Sequence, residues 1–310
     1  MSVLNKPYFQ DEAAAFTKLE SIVWPNGPTC PKCGAVDRIG SLDGVKDKKG
    51  RVRPGLKKCY HCRSQFTVRV GTVFESSHIP LHKWLQAAYL MAASKKGISA
   101  HQLHRTLEIA YKSAWFMAHR LREAMASGDL SPFGSTGGAV EVDETFIGRK
   151  KGKPVRHGYE HKHKVLSLVD RQTGRARSMV MDELTTKSVA PIVRANVARE
   201  ARLMTDEAKH YIKVGREYAD HQRVYHSTGE YGRGDAHTNT IEGFFSIFKR
   251  GMKGVYQHCG EQHLHRYLAE FDFRYTNRIA LGTDDAMRTE TALRGIVGKR
   301  LKYRDSSAAE

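Results

Sequence analysis

Three acidic residues stand inside otherwise apolar stretches of the chain: Asp143 in AVEVDETFIG, Asp206 after ARLMT, and Glu242 in NTIEGFFSIF. An ionised carboxylate among apolar neighbours is costly unless it is paired or binds a cation. Taken alone, each acid is more simply a helix cap or a salt-bridge partner. Brought together, the three form a hard oxygen site suited to Mg²⁺ or Mn²⁺. Two such ions about 3.5 to 4 Å apart would clamp both oxygens of a phosphodiester displacement.

The elements around these acids must bring them to one point. AVEVDETFIG, HKVLSLVD and ARSMVMDEL are predicted as three strands, TTKSVAPIVRANVA as a capped helix, and ARLMTDEA as a short fourth strand. This order indicates an α/β layer, in which Asp206 ends its strand at the edge where open sheets bind ligands. The stretch 237–256 is predicted as a helix with an apolar stripe of Ile241, Phe244, Phe245 and Phe248.

Polar side chains accompany Glu242 on that helix. Asn239 lies three residues before it, so it projects from the neighbouring turn and is a second candidate for the metal site. Lys249 lies seven residues after Glu242, where its ammonium could hold a DNA phosphate, although an exposed lysine is usually only solvated. Lys249, Arg250 and Lys253 together give a basic edge.

The charge balance of the chain predicts a polyanionic partner. The 310 residues include 51 Lys and Arg against 33 Asp and Glu, a formal net charge of +18, spread through every segment. A nucleic acid fits this balance better than an anionic membrane does, because no segment has the roughly 18 apolar residues of a membrane span; a basic protein that is simply very soluble is the other alternative. A basic loop at 146–164 is expected to lie along the DNA backbone. The N-terminus lacks a signal-peptide pattern, so a cytoplasmic location is expected.

Four of the five cysteines form two CxxC pairs, Cys30 with Cys33 and Cys59 with Cys62. In a reducing cytoplasm, paired CxxC units are typical of a structural Zn²⁺ site, and disulfides are the alternative. The segment between the pairs is somewhat long for such a site, and its middle, DGVKDKKGRVRPG, has the composition of a protruding loop. Each CxxC is expected to form a knuckle flanked by short strands. Cys259 is interpreted as an inert thiol.

Helical patterns follow the cysteine-rich segment. Residues 80–94 form one predicted helix, and residues 97–127 divide into a short helix, a turn near 109–112, and a longer helix. Two helices joined by a tight turn indicate a helix-turn-helix, in which Arg120 and Arg122 would contact DNA. A plain helical bundle with solvated charges is the alternative.

These patterns predict an ordered series of segments. They are an N-terminal helix at 1–25, a zinc ribbon at 26–75, a helical DNA-binding segment at 78–127, a linker at 128–138, an α/β catalytic domain at 139–280, and a basic extension at 281–310. Residues 303–310 are expected to be disordered.

The combination of motifs resembles that of bacterial insertion-sequence transposases of the group numbered fifteen-ninety-five. The resemblance rests on CPKCG, CYHC, VDETFIG, TDEA, NTIEGFFSIFKRGMKGVYQHC and HRYLAEFDFRYTNR, and it spans roughly residues 10 to 280. It implies a zinc ribbon followed by a ribonuclease-H-like catalytic domain of the DDE type. Members of the group have Asn, His or Glu at the third catalytic position, so both Asn239 and Glu242 are available here. Glu242 is favoured, because a carboxylate holds a divalent cation better than an amide does.

The resemblance also implies an activity and its partners. The expected enzyme binds double-stranded DNA at the terminal inverted repeats of an insertion sequence, cleaves it there and joins the ends to target DNA, as a homodimer or higher oligomer. Two other classes fit the residues: a domesticated DNA-binding regulator with an inert catalytic-like domain, and a simple nuclease of the same fold. An inert domain should have lost at least one acid, whereas Asp143, Asp206 and Glu242 are all present.

Overall fold

The computed structural model of the protein describes residues 2–155, 158–230 and 232–301. Its strands are β1 (Ile39–Ser41), β2 (Lys57–Cys59), β3 (Gln65–Phe66), β4 (Ala139–Ile147), β5 (His163–Asp170), β6 (Ala176–Met181), β7 (Arg202–Thr205), β8 (Asp220–Arg223), β9 (Gly232–Arg233) and β10 (Ala236–His237). Its helices are α1 (Glu12–Val23), α2 (Leu81–Ala93), α3 (Ala100–Leu107), α4 (Tyr111–Met125), α5 (Thr186–Asn196), α6 (Lys209–Gly215), α7 (Asn239–Gly251), α8 (Leu264–Thr276) and α9 (Asp285–Arg294). The predicted disorder of 303–310 concerns residues outside these ranges.

One of two units contains the cysteine-rich segment and most of the N-terminal helices. It comprises Ile98–Met125 and the described parts of Met1–Ser94 and Asp284–Glu310. Strands β1, β2 and β3 form an antiparallel sheet in that order, which carries the two cysteine pairs. Helix α9, from the segment predicted as a basic extension, packs against α2 in this unit.

Helices α3 and α4 occupy the positions predicted for a helix-turn-helix. The hydroxyl of Ser99 accepts the Gln102 N–H at 3.1 Å, which caps the start of α3. Glu108 ends α3 in the left-handed region at φ 51°, and α4 begins three residues later. The tight turn and the packing of α3 on α4 fit both a helix-turn-helix and a plain helical bundle, so the DNA-binding role of this segment stays a prediction.

The second unit, Lys95–Gly97 with Ala126–Thr283, is built on a five-stranded mixed sheet. The strand order is β6-β5-β4-β7-β8, with β4, β5 and β6 antiparallel and β4, β7 and β8 parallel. Apolar side chains on both faces of β5 explain why helices cover both sides. Leu166 and Leu168 pack with α5 and α6, whereas Val165 and Val169 pack with α7 and α8. The arrangement confirms the predicted α/β architecture and is consistent with a ribonuclease-H-like fold.

Two features of this unit were not predicted. Strand β8 reads Asp-His-Gln-Arg, has no apolar alternation and lies at the sheet edge with all four residues half-buried. The predicted linker 128–138 packs against the sheet unit, because Phe133 is 2% exposed and the guanidinium of Arg177 lies 4.7 Å from its ring centroid. A segment rich in Gly, Ser and Pro is therefore anchored here by one aromatic side chain.

Candidate active site

Asp143 and Asp206 lie side by side where β4 and β7 run parallel. The register pairs Glu141 with Met204, so residues two positions further along both strands reach the same edge of the sheet. Oxygens of Asp143, Glu144 and Asp206 all lie within 4.8 Å of one another. The structure thus brings together two of the three acids chosen from sequence and adds Glu144 to them.

Glu144 was not selected from the sequence, because successive side chains on a strand point to opposite faces. It is held on its own face by α6: the Tyr211 hydroxyl donates to Glu144 Oε2 at 2.6 Å, and His210 Nε2 lies 3.4 Å from the same oxygen. Its long side chain still reaches the strand edge. Adjacency to Asp143 was the one signal available in the sequence.

The electrostatics of this cluster favour a bound cation. Burial, followed by the charges of Glu144 and Asp206, holds the pKa of Asp143 well above its ordinary value, and Glu242 adds to the effect. Burial is also the main cause of the raised pKa of Asp206, opposed by the Ala208 N–H at 3.0 Å and reinforced by Glu144. Carboxylates this close repel one another until a positive charge joins them. The donor set therefore fits Mg²⁺ or Mn²⁺.

Glu242 and Asn239 both lie at the N-terminal end of α7, as predicted. Glu242 Oε1 accepts from the Thr238 hydroxyl at 3.2 Å and lies 3.5 Å from His226 Nε2, with 46% of its side chain exposed. It is outside the tight group of carboxylates but close enough for its charge to act on Asp143. Asn239 is exposed in the same turn. The choice between them as third ligand stays a prediction.

The start of α7 is fixed to the sheet through a buried acid, Glu141. Its side chain is fully buried, and it accepts the Ile241 N–H at 2.8 Å and the Arg171 Nε–H at 2.6 Å. Arg171 also donates to the His237 carbonyl at 2.6 Å, just before the helix. These bonds set the position of the turn that carries Glu242 relative to β4. The predicted apolar stripe of α7 is confirmed, with Ile241, Phe244, Phe245 and Phe248 buried.

The basic residues predicted along α7 differ in their surroundings. Burial lowers the pKa of Lys249, and the charge of Asp143 acts in the opposite direction, which places this ammonium within electrostatic range of the carboxylates. Arg250 is exposed and donates to the Ser246 hydroxyl at 2.7 Å. Lys253 is exposed in the π-helical turn that follows the helix. Lys249 is thus the basic residue of the three whose charge is coupled to the acidic cluster.

The basic loop between β4 and β5 is partly described, since residues 156 and 157 lie outside the described ranges. Tyr159 stacks on Phe146 with ring centroids 4.3 Å apart, and Lys162 Nζ lies 5.0 Å from the Tyr159 centroid. Arg149, Lys151 and Lys153 are exposed. The expected contact with DNA backbone remains a prediction.

Burial argues against the predicted DNA contacts of Arg120 and Arg122. They are 7% and 3% exposed, and the Arg120 Nε–H donates to the Leu301 carbonyl at 3.3 Å. Both arginines therefore serve the packing of the helical unit. The exposed Lys and Arg residues of the two helices are Arg105 and Lys112.

The four predicted zinc ligands converge in the first unit. Cys30 Sγ lies 3.6 Å from Cys62 Sγ, Cys33 Sγ lies 3.7 Å from Cys59 Sγ, and all four sulfurs are within 4.8 Å of one another. These distances exclude disulfides, and they match the edges of roughly 3.8 Å expected for a tetrahedron of sulfurs about 2.3 Å from Zn²⁺. The residues therefore fit a structural zinc ion.

Three features together define a DDE-type transposase class: a mixed sheet flanked by helices, acids carried by two adjacent parallel strands, and a separate four-cysteine ribbon. The ISXO2-like transposase domain matches residues 136–276, and the transposase zinc-ribbon domain matches residues 10–65. A protein of Halobacterium salinarum described as an uncharacterized protein in transposable element ISH50 is 30% identical over 285 residues, covering 86% of this chain and 91% of that protein. The chain belongs to the family of insertion-sequence transposases with a zinc ribbon and an ISXO2-like domain. Among the described residues, no helix has both the length and the apolarity needed to cross a membrane.

Proposed function

We propose that the protein binds the ends of an insertion sequence and catalyses metal-dependent DNA cleavage and strand transfer there. The observation that carries this proposal is the meeting of Asp143 and Asp206 at one sheet edge, with the charge of Glu242 within reach of Asp143. Both ends of an element must be processed together, so we further propose a homodimer or higher oligomer on DNA.

Asp143 and Asp206, with Glu144 or Glu242, would hold Mg²⁺ or Mn²⁺. Divalent cations bound there supply activation of the attacking oxygen and neutralisation of the charge that builds on the scissile phosphate. Tyr211 and His210 keep Glu144 oriented toward that edge. Glu141 and Arg171 hold the start of α7 in place, so that Glu242 stays close to the same point.

The proposed reaction has two displacements at phosphorus. In the first, a water oxygen bonds to the phosphorus at the element end, the P–O3′ bond breaks, and a free 3′ hydroxyl leaves. In the second, that hydroxyl oxygen loses its proton and bonds to a phosphorus of target DNA, the P–O3′ bond of the target breaks, and the target's 3′ oxygen takes up a proton and leaves as a hydroxyl. Lys249 would hold a nearby phosphate, since its ammonium lies within electrostatic range of Asp143. Arg250 and Lys253 would extend this contact along the backbone.

Two other functions fit parts of the chain. A DNA-binding regulator with an inert domain would not need acids placed at the ligand-binding edge of the sheet. A simple nuclease would use the same carboxylates, but it would cut DNA without regard to repeated ends. Family membership and the intact acids favour the transposase.

The test uses purified protein, Mg²⁺ or Mn²⁺, and a linear DNA carrying the inverted repeats that flank the coding region. We expect breaks that leave a 3′ hydroxyl at the repeat boundary, followed by joining of those ends to a supercoiled plasmid. Products are mapped by sequencing, and the control DNA has both repeats scrambled. Equal cutting of the two DNAs would identify a nuclease, whereas repeat-specific binding without cutting would identify a regulator.

Glu242→Gln is expected to lower strand transfer by about 100-fold or more, because loss of the carboxylate charge weakens the cation site. Asn239→Ala is expected to cost less than about 10-fold, since a neutral amide holds a divalent cation less strongly than a carboxylate does. Both variants are assayed with Mg²⁺ and again with Mn²⁺. Full activity of Glu242→Gln beside an inactive Asn239→Ala would show that the amide is the third ligand.

A further inference from the structure

The segment between the two cysteine pairs forms a two-stranded arm, defined here as residues 42–56. The Leu42 N–H donates to the Leu56 carbonyl at 2.8 Å, so the arm continues the pairing of β1 with β2. Further out, the Arg53 N–H donates to the Val45 carbonyl at 2.8 Å, and Lys46 pairs with Val52. The segment that its composition predicted as a protruding loop is therefore a hairpin loop, paired at its base and near its tip, with turns at 43–44 and 54–55 in between.

The tip of this arm is held by its own hydrogen bonds. The carboxylate of Asp47 accepts the Lys49 N–H at 2.8 Å, the Arg51 N–H at 3.0 Å and the Arg51 guanidinium at 2.7 Å. These bonds, led by that from the Arg51 side chain, lower the pKa of Asp47 to about 2. Gly50 takes the left-handed φ of +75° that the turn requires, and no atom lies within 4 Å of where its Cβ would be. The tip is preformed and stands in open space.

The arm presents positive charge that its fold does not use. Lys46, Lys48, Lys49 and Arg53 are exposed, and no ion pair is found for these four among the described residues. The one acid near the tip, Asp47, is occupied by Arg51. Val45 and Val52 are also 37% and 55% exposed. The arm thus combines a tip that is ordered by the Asp47 hydrogen bonds with exposed cations that have no ion pair among the described residues. This combination suits an anionic partner.

We propose that the arm enters the major groove of the DNA at the element end, with its lysines on the flanking phosphates. This proposal rests on the proposed function, and it assigns recognition of the DNA end to the arm. A two-stranded β-ribbon fits the major groove, which is about 12 Å wide and 8.5 Å deep. The outer hairpin begins where Val45 pairs with Arg53, and the three residues from there to Lys48 span roughly 10 Å, comparable to that depth. Lys46 on one side of the hairpin and Arg53 on the other would neutralise phosphates of both DNA strands.

The first test compares two double variants of the full-length protein. Lys48→Gln/Lys49→Gln removes two charges from the tip, and Lys187→Gln/Lys213→Gln removes two exposed charges from α5 and α6 as a matched control. Affinity for a duplex carrying the terminal repeat is measured over a salt series. If both tip lysines contact phosphates, the slope of log K against log salt falls by about 1.8 for the tip variant and stays unchanged for the control. Equal slopes for the wild type and the tip variant would overturn the proposal, as would an equal change in the control.

The variant Asp47→Asn distinguishes two explanations of DNA binding by the arm: recognition by a preformed tip and simple attraction between charges. The variant removes a negative charge, so charge attraction alone predicts tighter binding to every duplex. A preformed arm predicts instead that the preference for the repeat over a scrambled duplex falls by at least about 10-fold, because the Asp47 bonds fix the tip. Unchanged zinc content shows that the ribbon is intact. An undiminished preference would contradict the proposal, while failure of the wild type to bind either duplex would instead contradict the proposed function.

Discussion

Asp143→Asn and Asp206→Asn are each expected to lower DNA cleavage and strand transfer by roughly 10³-fold or more while binding to the terminal repeat is retained. Asn keeps the shape of each side chain but removes the charge that a divalent cation requires. Cleavage and joining are measured with Mg²⁺ and Mn²⁺ on the repeat-containing DNA, and binding is measured without metal. Asp182→Asn, which removes an exposed charge at the end of β6, is the matched control and should keep full activity.

The same variants are expected to be as stable as the wild type, or more stable, in the absence of metal. Burial and the neighbouring carboxylates raise the pKa of Asp143, so its ionised form disfavours the folded state at neutral pH, and this cost grows as pH rises. Removing the charge removes that cost. Thermal unfolding checks this: Mg²⁺ or Mn²⁺ should raise the Tm of the wild type and raise that of Asp143→Asn much less. An active Asp143→Asn, or one with an undiminished metal response, would contradict a cation at this site.

The placement of the acids illustrates what sequence patterns determine. Asp143 interrupts an apolar strand and Asp206 ends one, and strand periodicity with parallel pairing is enough to bring their Cα atoms to one edge. Strand periodicity does not predict the position of the Glu144 carboxylate. That position depends on the length of the Glu144 side chain and on a hydrogen bond from Tyr211, which lies on a helix distant in sequence. Glu141 is similar, since its bond to Ile241 joins residues that are 100 positions apart.

In the helical unit, sequence patterns mispredict which side chains are exposed. On α4, buried residues include Ala118 and Leu121 but also Arg120 and Arg122, so the helix is enclosed on more than one face. The prediction that Arg120 and Arg122 face solvent assumes that α4 has a single buried stripe. That assumption holds for a helix on the surface, but it fails for a helix that is enclosed. Strand β8 was missed for a related reason: as a half-buried edge strand without apolar residues, it gains its position from pairing with β7.

Cys59→Ser is expected to unfold the zinc ribbon and to lower binding to the terminal repeat by about 100-fold or more. The buried cluster around the four sulfurs consists of Cys30, Cys59 and Phe66, so two of its three members are zinc ligands. Structural Zn²⁺ in small domains contributes roughly 10 to 16 kcal/mol of apparent binding free energy, so a ribbon that loses it has nothing comparable to replace it. The proposed DNA-reading arm extends from β1 and β2, and it would lose its base at the same time.

The chain provides a matched control for this prediction in Cys259, which is half-buried in the other unit and lies outside the four-sulfur cluster. Cys259→Ser should keep the zinc content, the resistance of residues 26–75 to limited proteolysis, and the affinity for the repeat. Zinc is quantified by mass spectrometry under reducing conditions, and chelation of the wild type should reproduce the loss seen in Cys59→Ser. Folded, reduced wild-type protein without zinc would refute the structural role of the metal. Tight repeat binding by Cys59→Ser would instead show that the ends are recognised elsewhere, with α3 and α4 as the remaining candidates.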